Sequence, residues 1–341
     1  MDRTALAAAL DGMRLPQIVM SLRRAASPWI TVLTYHRVAR PEAAARLDEG
    51  VVDVGPEQLD RQLAFLRRWF DPIGLDDLLA FVRRGAALPS NPVLVTFDDG
   101  YRDNHDTALP ILRRHGVRAT FFVATEYVER RRPYWWDRVA FVLKGSPRDG
   151  VELAYPEPMQ LALGDASERR SAIRRVHRVI KDRHGLDLDR FLAALEDAAG
   201  VTLGVDEERR LADETVMTWG HVIALRRAGM DVQSHTRTHR VLQTLGPAQL
   251  ADELGGSRRM LEDVLGEPVV AVSYPVGKPL RETPHVERAV REAGYELGFS
   301  NNTGVNRLRD FDPLDARRIS LELGLTDAFF RSMLAIPWLA Y

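Results

Sequence analysis

Seven short runs of apolar, β-branched or aromatic residues recur along the chain, with segments of helical periodicity between them. The runs are Ile30–Tyr35, Pro92–Phe97, Arg118–Ala124, Met230–Ser234, Val269–Tyr274, Glu296–Ser300 and Arg318–Leu321. In the intervening stretch Gln58–Trp69, Leu59, Leu63 and Leu66 recur at three- and four-residue spacing, with Phe70 just beyond. Gly220–Ala228 and Gln249–Leu265 are further helical stretches. Gly116, Gly229, Gly266 and Gly294 each stand between a helical stretch and the next run, where a C-cap glycine belongs. Such alternation builds a mainly parallel sheet with helices outside. Seven units favour closure, so the expected fold is a distorted (β/α)7 barrel.

The alternation lapses between Glu126 and Thr215. That segment holds Pro133-Tyr134-Trp135-Trp136, a Gly- and Pro-bearing stretch from Gly145 to Pro158, and two helix-like runs. The expected organisation is an N-terminal helical segment over 1–30, a barrel over 31–125 and 216–335, and a mainly helical insertion over 126–215 packed on the barrel.

The sequence contains no cysteine, which removes disulfides, thiolate ligands and thiol nucleophiles together. A net charge of -1 speaks against a general nucleic-acid binder, whose footprint is basic. The apolar run Ala5–Leu10 is short and is broken by Asp11, unlike an export signal. No stretch approaches the ~18 uninterrupted apolar residues of a membrane helix. The expectation is a cytoplasmic protein, with room for peripheral contact with a membrane.

Chemistry concentrates at the ends of two runs. Val93-Leu94-Val95-Thr96-Phe97 leads directly into Asp98-Asp99-Gly100. In strand–helix folds reactive groups sit where a strand gives way to its loop. Two adjacent carboxylates ionise together only beside a cation or a donor; the plainer alternative is a helix cap. The second feature is Ser234-His235-Thr236-Arg237-Thr238-His239. Histidines four apart can share one metal ion, and a catalytic metal also needs an anionic or third ligand and an open position. Asp98-Asp99 is the available donor.

These motifs resemble those of the polysaccharide deacetylases (carbohydrate esterase family 4, the NodB-homology domain). The likeness rests on Thr96-Phe97-Asp98-Asp99-Gly100 and His235-Thr236-x-x-His239, with Ala119-Thr120-Phe121-Phe122-Val123, Thr218-Trp219 and Ala228-Gly229-Met230 around them. It spans roughly 31–124 and 215–323. The resemblance implies that Asp99, His235 and His239 hold a divalent metal and that Asp98 is the general base. Zinc suits two imidazoles and a carboxylate. Ser273-Tyr274-Pro275-Val276-Gly277 takes the place of the family's third motif, implying that the Val276 amide receives the developing oxyanion, with Tyr35, Tyr274 and Pro275 along the substrate.

The chain departs from the family pattern twice. Ser273 stands where many members carry an arginine that orients the base; Arg317 or Arg318, at the start of the last strand, could supply that cation, with Lys278 a weaker candidate. The late motif with its acid histidine is also absent. Instead Val32-Leu33-Thr34-Tyr35 ends in His36, as in an exopolysaccharide-type subgroup with permuted motif order, which implies that His36 protonates the leaving amine. The bland alternative is a core histidine.

Trp135 and Trp136 are candidates for a sugar-stacking platform, with ordinary packing as the alternative. The basic run Arg169, Arg170, Arg174, Arg175, Arg178, Lys181 and Arg183 reads as a solvated helix face, with anionic lipid or a sugar diphosphate as the alternative contact. The tail from Phe329 to Leu339 reads as docking on the barrel, with a membrane surface as the alternative. The expected substrate is an N-acetylated amino sugar in a glycan, or in a lipid- or nucleotide-linked precursor. A silent glycan-binding module and a metal amidohydrolase acting on a non-sugar amide are the rival readings.

Overall fold

Each of the seven predicted runs overlaps a strand in the computed structural model, which describes residues 3–23 and 29–340. They are β1 (Trp29–Tyr35), β2 (Pro92–Phe97), β3 (Thr120–Val123), β4 (Asp231–Ser234), β5 (Ala271–Ser273), β6 (Leu297–Thr303) and β7 (Ala316–Ser320). Every strand pairs in parallel with its sequence neighbours, and β1 pairs with both β2 and β7. The result is a closed seven-stranded parallel barrel with helices outside, the architecture that the alternation predicts. Registers Leu33↔Val95 and Leu33↔Ile319 fix the closure.

Period-two alternation sorts the strand residues. Leu33, Tyr35, Val95, Phe97, Phe121 and Val123 face the helical shell, where the Tyr35, Phe97 and Phe121 rings stack at 5.2 and 4.9 Å. Val32, Leu94, Phe122, Ala271, Phe299 and Ala316 form a second cluster, which also takes in Ile73, Leu75 and Leu78 at the start of helix Leu75–Arg84. Further along β1 and β2 comes a polar layer, in which Thr34 and Thr96 share a 2.7 Å hydrogen bond. Polar residues in a barrel interior need partners, and those partners form the site described below.

The glycines expected as C-caps all have left-handed φ, at 60° for Gly116, 84° for Gly229, 67° for Gly266 and 83° for Gly294. The predicted helix Gln249–Leu265 is interrupted by a π turn over Asp252–Gly256.

Between β3 and β4 lie helices Thr125–Arg130, Trp135–Gly145, Ala166–Asp182, Leu188–Ala199 and Val205–Thr215, with an antiparallel hairpin, Gly150–Leu153 with Met159–Ala162. The hairpin was not expected in a mainly helical insertion: its eBeB strand falls within the Gly- and Pro-bearing stretch and its BeBe strand directly after it. Arg169, from the basic run, is not merely solvated. It donates to the carbonyls of Leu143, Lys144 and Ser146, closing the end of helix Trp135–Gly145.

Helices Arg3–Gly12 and Leu15–Arg23 pack against the C-terminal helix Asp327–Ala335, where Ser332 donates to the Ala7 carbonyl and Phe330 and Leu334 are buried. Residues 1–2 and 24–28 of the expected N-terminal helical segment lie outside the described residues, and Trp29 and Ile30 belong to β1. The tail beyond helix Asp327–Ala335 stays packed: Leu339 belongs to the main core cluster, while Trp338 is 68% exposed.

Candidate active site

Strand ends converge on one rim. His36 follows β1, Asp98 and Asp99 follow β2, His235 follows β4, and Ser273 closes β5. Main-chain bonds carry the pairing one residue past the strands, from the Asp98 amide to Tyr35 O (2.8 Å) and from the His235 amide to Val123 O (2.9 Å). Side chains far apart in sequence are thus held by the sheet itself.

Asp99, His235 and His239 form a buried cluster whose ligand atoms lie within 4.8 Å of one another. His235 Nε2 and His239 Nε2 each stand 3.4 Å from Asp99 Oδ1. The edge of a tetrahedron with bonds of about 2.0–2.1 Å is about 3.3 Å, so these separations match a shared ion. Asp99 Oδ1 is buried and accepts no hydrogen bond, which is costly unless a cation completes it. His235 Nδ1 lies 2.8 Å from the Ser273 carbonyl, which can only accept, so Nε2 keeps its lone pair for the cluster. Burial, aided by the His235 ring, pushes His239 down to about 3 and keeps it a neutral donor. Burial alone would raise the Asp99 carboxyl, but the surrounding imidazoles hold it below the usual range. The donor set fits a divalent metal.

Asp98 borders the cluster, its Oδ2 3.8 Å from His235 Nε2. Arg318, fully buried in β7, binds it in a fork, Nη1 to Oδ1 and Nη2 to Oδ2, both at 2.8 Å. Ser273 Oγ lies 3.0 Å from Asp98 Oδ2 and 2.9 Å from Arg318 Nη2, bridging the pair. Burial opposes ionisation of Asp98, yet Arg318 and then His235 hold it well below the carboxylate range. The cation that Ser273 lacks therefore comes from Arg318. Lys278 instead meets Asp182 at 3.1 Å on the surface, and the Arg317 backbone bonds Asn306.

His36 is gripped by Asp53, from the short strand Val52–Val54. Its Nδ1 lies 3.0 Å from Asp53 Oδ2, and its amide donates to the same oxygen. Burial disfavours the imidazolium, but Asp53 first, then Asp99 and Asp98, lift His36 to about 9. A histidine protonated at neutral pH, with 23% of its side chain exposed, can deliver a proton at the rim. Asp53 is absent from the sequence reading; the one available signal was a carboxylate between valines in an apolar run.

Strain marks the same rim. Of six described non-glycine residues with left-handed φ, four lie here: Asp99 (74°), Thr236 (62°), His239 (55°) and Val276 (62°). Each costs of order 1–3 kcal/mol and persists only where the surroundings enforce it.

Residues 85–162 and 201–298 match the polysaccharide deacetylase family, and those spans contain Asp98, Asp99, His235 and His239. This chain belongs to that family. Its relative YxkH of Bacillus subtilis (strain 168), assigned as a polysaccharide deacetylase, is 21% identical over 238 residues, 70% of this chain. The chain spans about half (54%) of that relative's length. Among solved structures it resembles the Streptococcus pyogenes deacetylase PplD in complex with acetate, at TM-score 0.56 and 17% identity over 88% of this chain and 96% of that one. It also resembles IcaB from Ammonifex degensii, at TM-score 0.56 and 17% identity over 93% and 99%. Likeness at this identity establishes a shared fold.

The family match leaves out His36 and Arg318, which β1 and β7 bring to the rim. Other expected deacetylase site residues sit differently. Tyr35 and Tyr274 are buried, their hydroxyls donating to Gln62 Oε1 and the Leu314 carbonyl, and Pro275 is buried too. Trp135 and Trp136 are each 4% exposed. Trp136 stacks on Tyr134, packs 4.6 Å from the His239 ring and donates to Tyr101 Oη, while Trp135 meets His177 edge-on. Neither offers the open face that a sugar platform needs. Val276 is half-buried in a turn that only glycine can continue: Gly277 has φ 69°, and a Cβ there would lie 2.4 Å from Asn301 N.

Proposed function

We propose that this chain is a metal-dependent N-deacetylase acting on an N-acetylated amino sugar, in a glycan or in a lipid- or nucleotide-linked precursor. The observation that carries it is the buried Asp99–His235–His239 cluster with an unsatisfied Asp99 oxygen, beside a second carboxylate committed to an arginine. Asp99, His235 and His239 would hold the ion, zinc being the best match to the donors. When bound, such an ion acidifies water and polarises an acyl carbonyl.

The remaining roles fall to the chain's own groups. Asp98, kept ionised and fixed by Arg318 and Ser273, takes the proton of the attacking water. His36, kept protonated by Asp53, gives a proton to the departing amine, a poor leaving group without it. The Val276 amide donates to the oxygen on which charge develops. We read the early position of the acid histidine as the permuted order of an exopolysaccharide-type subgroup. The acetate in the PplD complex supports acetyl as the group removed. No helix among the described residues is long and apolar enough to cross a membrane. We assign the chain to the cytoplasm, with peripheral membrane contact open to it.

The test is release of free acetate from N-acetylglucosamine oligomers by the zinc-loaded protein. Asp98→Asn should keep the metal while losing at least ~100-fold in turnover, as loss of a general base does. A different amine product would point to a non-sugar amide, and binding without turnover to a silent glycan module. Loss of the metal from Asp98→Asn would mean that the two aspartates exchange roles.

A further inference from the structure

The loop between the two histidines is held by a residue with no place in the chemistry above. Glu253 is 4% exposed, lies in the π turn Asp252–Gly256 and pairs with no cation among the described residues. One of its oxygens accepts the amides of Arg237 (3.0 Å) and Thr238 (2.8 Å), and the other accepts the Thr238 hydroxyl. The opposite edge of the loop is held as well: the Thr236 and Arg237 carbonyls accept the amides of Thr125 (3.2 Å) and Glu126 (2.9 Å). Thr236 and His239, with left-handed φ of 62° and 55°, bend the chain on either side of the two residues that Glu253 grips.

A buried carboxylate receiving three donors is a charge-assisted anchor, stronger than neutral hydrogen bonds. A left-handed β-branched residue such as Thr236 relaxes unless such an anchor opposes it. His235 is tied independently to the sheet and to the Ser273 carbonyl, whereas His239 follows directly on the gripped amides. We propose that Glu253 is a positioning residue that sets His239 against His235 and Asp99, and thereby the affinity and geometry of the metal centre. The proposal rests on the metal-site reading above. It predicts that a carboxylate outside the ligand set controls metal binding through the backbone of 237–238.

The test is titration of the metal-free full chain with Co2+ and Zn2+, well below its unfolding temperature, comparing wild type with Glu253→Gln. The amide keeps the size but turns a donor toward donors. Affinity should fall about 10–100-fold, as for other outer partners of metal ligands, and the ligand-field bands of bound Co2+ should shift. A merely structural role lowers the melting temperature yet leaves both the bands and the affinity as in wild type, and that result overturns the proposal. Should Glu253→Gln not fold, Thr238→Val removes the hydroxyl donor alone. It should weaken binding several-fold, and wild-type affinity there likewise overturns the proposal. A wild-type chain that takes up no Co2+ strikes down the metal centre and this proposal with it, an outcome distinct from an unchanged variant.

Discussion

Asp53 decides what His36 can do. The imidazolium is favoured in the folded protein, so His36 contributes stability that is complete below its ordinary pKa near 6.5 and is lost as pH rises through about 9. The same protonation makes it an acid over that range, so kcat/KM should fall on an alkaline limb near pH 9. In Asp53→Asn the largest favourable charge disappears, and that limb should move down by a pH unit or more, as loss of an adjacent carboxylate does. A pH–rate profile with its limb still near 9 would remove the pair from the chemistry. His36 was legible because a strand runs into it. Asp53 was not, because an acid inside Val52-Asp53-Val54 carries no mark of which histidine it will meet 17 positions back. Arg318 was legible only as one of two adjacent arginines; strand alternation turns it inward, and the partner 220 residues away chooses it.

At the scale of elements, the seven strands and their glycine caps were written in the sequence because each carries its own local signal. The hairpin over 150–162 was not, since the Gly, Pro and Asp residues in and around it are depleted in strands and masked its alternation. Helix Trp135–Gly145 also conceals a carboxyl. Asp137 is buried in its first turn, where it accepts the Tyr101 hydroxyl (2.8 Å) and the Asp48 amide (3.0 Å). Burial pushes it up to about 7. A carboxyl raised in the folded state stabilises below its ordinary value near 3.8, and that contribution is lost as pH rises through about 7. Asp137→Asn keeps an acceptor and sheds the charge, so its stability should fall less between pH 4 and 7 than that of wild type. Urea denaturation at both pH values reads the difference, expected at about 1 kcal/mol or more. Equal slopes would place the Asp137 proton elsewhere.

Over the whole molecule, pairing of β1 with both β2 and β7 makes the chain order of rim residues immaterial, so a histidine ahead of the aspartates still meets them. The site draws on strand ends from around the barrel, and an ion held by Asp99, His235 and His239 would tie the end of β2 to that of β4 and so stabilise the fold. At 100 times its dissociation constant the metal should add about 2.7 kcal/mol, raising the melting temperature by roughly 4 °C for a chain of this size. Calorimetry with zinc and with chelator measures this, and His239→Ala should erase the gap. An equal gap in that variant would place the ion elsewhere.

The fork between Arg318 and Asp98 has a consequence for how such a barrel can change over generations. Breaking one side of a buried ion pair typically costs ~3–5 kcal/mol, whereas replacing both members by well-packed apolar residues is often neutral or stabilising by ~1–4 kcal/mol. An inert, sturdier descendant therefore lies two substitutions away, with a badly destabilised molecule at either intermediate step. Mutation proceeds one position at a time, so that valley shields the buried carboxylate from loss even in lineages where nothing else would retain it.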